Sequence, residues 1–106
     1  NYYDALYLIA LALAKQHQAT PGVFGGAALR DAVFDISRPA GTTFRASAWQ
    51  DAVAALAAGT DIDYDGAGSP CDFEDNGEAL GPYEVWEIQG GAFVRVDYID
   101  AADLTP

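Results

Sequence analysis

The stretch from Tyr2 to Ala14 constrains the fold most. Tyr2, Tyr3, Ala5, Leu6, Tyr7, Leu8, Ile9, Leu11 and Leu13 crowd into little more than three helical turns. A helix on a protein surface shows one apolar stripe, whereas this one is apolar all round and needs cover on most sides. It is too short to cross a bilayer, which takes ~20 residues, so it belongs in a core. Asn1 is the expected N-cap, and Asp4 falls in the first turn, where the helix dipole favours an anion. Lys15-Gln16-His17-Gln18 ends the apolar run and Pro21-Gly22 breaks the chain. His17, the only histidine, is expected as a dipole partner at the helix C-terminus.

Two further helices follow. Leu29, Val33 and Ile36 recur at i, i+4, i+7, which predicts a helix over Gly26–Ile36 with one buried face. Arg38-Pro39 ends it, because the residue before proline disfavours helix. Ala40 to Ala46 is a loop or a short extended piece. Ser47-Ala48-Trp49-Gln50 fits a capping box, and Trp49, Val53 and Leu56 repeat the spacing of a buried face. Gly59 supplies the left-handed residue past the helix end.

Composition changes in the second half. Residues 1–53 balance four basic against four acidic groups. Residues 54–106 set Arg95 alone against twelve acids, which gives the 106-residue chain its net charge of −11. A nucleic-acid backbone needs a Lys/Arg footprint that is missing, so no nucleic-acid partner is expected, and a polybasic membrane patch is excluded likewise. At 51% apolar the chain is too hydrophobic for a disordered tail. Its single cysteine, Cys71, allows no internal disulfide and no cysteine zinc site; a buried small residue is expected there. The chain contains no methionine, even at position 1, and is expected to be a piece of something longer.

The acidic half predicts an antiparallel β-meander. Asp75-Asn76-Gly77 is a turn between Cys71–Glu74 and a second extended run. Tyr83–Ile88 and Phe93–Ile99 flank Gly90-Gly91. A two-residue loop there pairs Val85 with Val96, Tyr83 with Tyr98, and Trp86 with Arg95 in a cation–π contact. The same register sets Glu84 against Asp97, which is unfavourable and calls for a longer loop or a frayed end.

Several stretches together resemble one family. They are Tyr3-Asp4-Ala5-Leu6-Tyr7-Leu8-Ile9-Ala10-Leu11-Ala12, then Ala28-Leu29-Arg30-Asp31-Ala32, then Asp61-Ile62-Asp63-Tyr64-Asp65-Gly66-Ala67-Gly68-Ser69-Pro70 running into Asp72-Phe73 and Asn76-Gly77, and last Gly81-Pro82-Tyr83-Glu84-Val85-Trp86. In this order they resemble the C-terminal portion of a periplasmic binding protein of the branched-chain amino acid (Leu/Ile/Val-binding) type. Such proteins are the substrate-binding components of ABC transporters. The resemblance covers essentially this whole chain but only the last quarter to third of a family member. It departs at Cys71, where a small aliphatic residue is more usual, and over Pro39–Ala46.

The resemblance implies an α/β protein of two lobes, the type I periplasmic binding fold, with a solute held in the cleft between them. This segment is expected to be α+β: three helices over 1–59, then an acidic loop and a β-meander over 60–106. It implies a periplasmic or extracellular location, in many members with a lipid anchor, a small-molecule solute such as an amino acid, and ABC permease subunits as partners. No cofactor is implied. The same fold also serves as a ligand-sensing ectodomain. The isolated segment is expected to self-associate through its apolar first helix.

Candidate sites compete with plainer readings. Tyr2, Tyr3 and Asp4 open the first helix beside the place where the resemblance puts the last crossover, so they are ligand-binding candidates; otherwise the tyrosines are core and Asp4 is a first-turn charge. Asp61, Asp63, Asp65 and Gly66, with Asp72 in twelfth place, follow the D-x-D-x-D-G spacing of a calcium loop. That loop ends in Glu and leads into a helix, whereas here Pro70 and a strand follow, so a solvated acidic loop or edge strand accounts for the same residues. No catalytic set can be assembled: one histidine at a helix end leaves a nucleophile–base–acid arrangement without its members.

Overall fold

The structure, a computed structural model, describes residues 2–104. The proposed cap Asn1 lies outside the described residues. Helix α1 spans Tyr2–Ala19 and α2 spans Gly26–Ile36. Strand β1, Thr42–Phe44, leads through a 3-10 turn at Ala46–Ala48 into α3, Trp49–Ala57, and then into β2, Ile62–Tyr64. Strands β3, Tyr83–Gln89, and β4, Ala92–Ile99, form a hairpin, followed by a 3-10 turn at Ala101–Leu104.

The core is built by four elements around one centre. Leu8, Leu11 and Ala12 of α1 meet Ala32 and Ile36 of α2, Ala52 and Leu56 of α3, and Ile62 and Tyr64 of β2. β1 and β2 pair in parallel, Thr42 opposite Ile62 and Phe44 opposite Tyr64, with α3 as the connection. Parallel strands cannot be joined by a tight turn, so the helix between them is a requirement of the pairing. The alternation in β2 explains its place: Ile62 and Tyr64 point into the core while Asp61, Asp63 and Asp65 fall on the other side.

Several expectations need correction. The segment is mixed helix and strand, with three helices and an antiparallel pair of strands as expected, but β1 stands between α2 and α3 and pairs in parallel with β2, so the order is not three helices followed by a meander. The first hairpin of that meander shrinks to a single antiparallel bridge between Phe73 and Ala79, and the antiparallel sheet has two strands. The capping box at Ser47 does not form: the 3-10 turn occupies Ala46–Ala48, and α3 starts from Ala48 with no side-chain cap. Gly59 does adopt the expected left-handed conformation, at φ 76°.

α1 is covered on one side only. Asp4, Leu8, Leu11, Ala12 and Gln16 are buried, whereas Tyr2, Tyr3, Leu6 and Ile9 remain exposed. The expectation that the tyrosines are core fails for both, Tyr2 being 98% and Tyr3 50% exposed. No helix among the described residues is long and apolar enough to cross a membrane.

The hairpin stands clear of this core. Every residue of β3 and all but Ile99 of β4 are exposed, including Trp86, Ile88, Phe93 and Tyr98. The molecule measures 57 × 30 × 23 Å, with a radius of gyration of 16.7 Å. A compact domain of this length has a radius of about 13 Å. A lone two-stranded hairpin is marginal in water, so this arm lacks the packing that a sheet of its length needs.

The Gly90-Gly91 loop is the two-residue turn expected, and Trp86 does lie opposite Arg95. Beyond that pair a bulge shifts the ladder by one residue, placing Val85 opposite Asp97 and Glu84 opposite Tyr98. The bulge removes the Glu84–Asp97 clash without lengthening the loop. Glu84 instead accepts a 2.7 Å bond from Arg95, whose guanidinium lies 6.0 Å from the centre of the Tyr98 ring rather than over Trp86.

Candidate functional site

The polar groups of the core region converge where β1 and β2 end. Arg45 follows β1 directly, and Asp65 follows β2. The backbone N–H of Asp65 donates to the Phe44 carbonyl at 2.9 Å, so the strand pairing carries both residues to the same edge. There the Arg45 Nε donates to Asp65 Oδ2 at 2.7 Å, and Nη2 forms an ion pair with the same oxygen at 2.7 Å. The first turn of α1 closes a third side. A hollow of about 320 Å³ results, lined by Tyr3, Arg45, Ala46, Ser47, Asp65, Gly66 and Ala67.

Asp4 holds the loop that forms the floor of this hollow. Its carboxylate is 3% exposed. One oxygen accepts from the Tyr64 hydroxyl at 3.1 Å and from the Ala67 N–H at 2.8 Å, and the other accepts from the Gly68 N–H at 3.1 Å. Burial would raise its pKa, but the two backbone donors and the phenol outweigh burial and hold the carboxyl below its ordinary value. The same contact acts on Tyr64 in the opposite sense: burial first, then the bond to Asp4 and its charge, push the phenol far up.

Close packing fixes the loop further. A Cβ at Gly66 would lie 2.6 Å from the Cys71 sulfur, 2.6 Å from the Ser69 carbonyl oxygen and 3.0 Å from Asp4 Cγ. Cys71 is buried, as expected, but it lies in irregular chain with φ 64° rather than in a strand. Its thiol is raised chiefly by burial, which disfavours the reactive thiolate.

Tyr3 joins the hollow to an aromatic row. Its ring lies 4.9 Å from that of Tyr7, which meets Trp49 edge-on at 5.6 Å and stacks on Tyr64 at 6.2 Å. Leu6, Tyr7, Ala10 and Trp49 line an apolar groove of about 360 Å³ along the same side of α1.

The expected ligand residues therefore separate. Tyr3 lines the hollow. Asp4 sits beneath it with both oxygens already engaged by protein donors, so it serves as a loop anchor. Tyr2 projects away and lines none of these hollows. Arg45 was not singled out from sequence, because the parallel pairing that brings it to Asp65 rests on two three-residue strands.

The acidic residues do not form a calcium loop. Asp61, Asp63 and Asp65 flank or occupy an extended strand, which rises about 3.3 Å per residue and spreads the carboxylates along a line rather than around a centre. Among the described residues, no group of three or more His, Cys, Asp or Glu side chains is placed to hold a metal ion. Asp65 is committed to Arg45. Asp63 has a buried Oδ1 without a partner, and its pKa is raised first by burial and then by Asp72, Asp65 and Asp61. Millimolar calcium is expected to leave the melting temperature unchanged; a rise of several degrees in a calcium titration would show that the loop rearranges around the ion.

A second hollow, of about 640 Å³, runs between α2 and the turn at 75–77. Arg38 dominates it, donating to the Phe73 carbonyl at 3.0 Å and to Asp75 at 2.9 Å while lying 4.6 Å from the centre of the Phe34 ring. These contacts tie the turn to the helix. His17, at the end of α1 as expected, stacks on Phe24.

Comparison with protein-family models, with curated proteins and with solved structures found no match to this chain.

Proposed function

We propose that this chain is the C-terminal portion of an extracytoplasmic solute-binding protein that delivers an amino acid or a related small organic solute to an ABC importer. The observation that carries the reading is the position of the hollow. In open α/β sheets, ligands bind outside the carboxyl ends of the strands. The hollow lies at that edge of β1 and β2, and it gathers a guanidinium, a carboxylate, a hydroxyl and an aromatic ring in a volume suited to a small solute.

Two further features support it. The parallel pair of three-residue strands suits a place in a larger α/β sheet, the setting in which parallel strands occur with both faces covered. The bare side of α1 and the uncovered hairpin are surfaces that a second lobe would bury. In this reading the solute draws the lobes together, and the closed form docks on the permease. The intact protein containing this segment is expected to gain several degrees in melting temperature with its solute; no shift across the amino acids and simple organic acids counts against the reading.

The isolated segment is expected to self-associate through the exposed face of α1, with Tyr2, Leu6 and Ile9 at the contact. Sedimentation velocity over a hundred-fold concentration range checks this. A monomer throughout would mean that these apolar surfaces are tolerated in water.

A further inference from the structure

We infer that Asn76-Gly77 is a site of spontaneous covalent modification, at which the Asn76 amide is lost as ammonia through a cyclic imide and the strap between the helical core and the hairpin is loosened. This chemistry does not depend on the solute-receptor reading, and its co-reactant is water.

The reaction needs a side-chain carbonyl, the backbone nitrogen of the next residue, and no side chain on that residue to obstruct the approach. Two places in the chain carry Asn or Asp directly before Gly: Asp65-Gly66 and Asn76-Gly77. The structure separates them. The Asp65 carboxylate is held by Arg45, and a carboxylate is a poor electrophile. Gly66 is closed in by the Cys71 sulfur, the Ser69 carbonyl and Asp4, so the backbone there has little room to turn. Asn76 and Gly77 are both exposed, and nothing lies within 4 Å of the place where a Cβ on Gly77 would stand.

The turn presents the amide for attack. The Glu78 N–H donates to Asn76 Oδ1 at 2.9 Å, which polarises the carbonyl in the sense that favours addition at Cγ. The Gly77 N–H donates to the Glu74 carbonyl at 2.9 Å, an exposed turn bond that water replaces readily. In the reaction the Gly77 nitrogen gives up its proton and bonds to Asn76 Cγ. The Cγ–Nδ2 bond breaks, and Nδ2 takes up a proton and leaves as ammonia. Water then opens the imide at one carbonyl or the other, and the C–N bond that breaks decides between aspartate and isoaspartate, each formed with release of a proton.

Both products act on the strap. Asn76 Nδ2 donates to Glu78 Oε2 at 3.0 Å, and either product replaces that donor with a carboxylate, so like charges face each other. Isoaspartate also routes the main chain through the former side chain. That adds a methylene inside a closed turn, where the Glu74 N–H donates to the Glu78 carbonyl at 2.7 Å and Phe73 bridges Ala79. Arg38 ties this turn to α2 through the Phe73 carbonyl and Asp75, and the chain beyond Ala79 leads into β3. Opening the turn therefore loosens the root of the arm.

The test is peptide mapping by mass spectrometry after prolonged incubation of the intact protein at neutral and at mildly alkaline pH, in buffer and in urea. In buffer Asn76 is expected to convert, faster at the higher pH, while Asp65 stays free of isoaspartate; in urea both are expected to react. Asn76→Gln, whose longer side chain closes the ring far more slowly, is expected to keep its amide. A protease that cuts after glutamate gives a second reading at Glu74 and Glu78. Aged wild type and fresh Asn76→Asp are expected to be cut there several-fold faster than fresh wild type, and aged Asn76→Gln is not. An Asn76 that keeps its amide in buffer overturns the site, and isoaspartate forming at Asp65 as fast as at Asn76 overturns the distinction between the two pairs. Equal cutting of aged and fresh wild type, with Asn76 converted, overturns the loosening of the strap.

Discussion

Replacing Asp4 with alanine is expected to destabilise the helical core by about 3 kcal/mol, with a fall in melting temperature of roughly 15 °C. The substitution removes the acceptor for three donors at once: the Tyr64 hydroxyl and the N–H groups of Ala67 and Gly68. Tyr64 is itself 1% exposed, so its hydroxyl loses its partner where water does not replace it. Asp4→Asn tests the geometry more sharply. It preserves the shape but turns one acceptor into a donor that faces other donors, so it is expected to recover little of the loss. The folded carboxyl titrates below its ordinary value of 3.8. Its stabilising contribution is therefore complete above that value and drains away as the pH falls through the lower, folded one. Acid unfolding of Asp4→Ala should accordingly lack this part of the wild-type dependence. A thermal melt series from pH 6 to pH 2 reads both effects, and equal melting temperatures for wild type and Asp4→Ala at pH 6 would show that the loop does not depend on its anchor.

Gly41→Ala is expected to cost about 3 kcal/mol for a different reason. Gly41 lies just before β1, and a Cβ there would sit 2.5 Å from the Ile62 carbonyl carbon, 2.7 Å from its oxygen and 2.9 Å from the Asp63 nitrogen. All three are backbone atoms of β2, so no side chain can rotate away, and the strands must part. The damage should extend to the hollow, because the same pairing places Arg45 beside Asp65. Gly26→Ala is the matched control: it sits at the start of α2 with nothing near the added carbon, and is expected to change stability by no more than about 0.5 kcal/mol. Urea denaturation of the three proteins separates the cases, and a Gly41→Ala protein as stable as the control would mean that β1 does not lie against β2 as described.

The parts of the fold that were legible from sequence are those set by local spacing. The apolar period gave α2 over Gly26–Ile36, the span observed, because its buried face repeats within one element. Gly90-Gly91 fixed the hairpin turn for the same reason. The parallel pairing was not legible. Thr42–Phe44 and Ile62–Tyr64 are too short to show a period, and their partnership depends on a helix folding between them. Asp4 shows the same limit at the site. Its position in a first turn explains a surface charge equally well, and only the approach of the loop from 63 residues away reveals it as a buried acceptor. The bulge in β4 was half visible. The conflict between Glu84 and Asp97 could be read from the register, but the chain resolved it by inserting Val96 and passing Glu84 to Arg95.

That inserted residue has a consequence for how the exposed arm behaves among its neighbours. A regular two-stranded ribbon with bare Trp86, Ile88 and Phe93 would offer a straight outer margin on which copies could stack without limit, as in a fibril. The extra valine interrupts the row of outward amides and carbonyls and adds local twist, so a second ribbon can follow the margin for only part of its length. Along the β4 margin, the bulge therefore works against open-ended edge-to-edge growth of the arm.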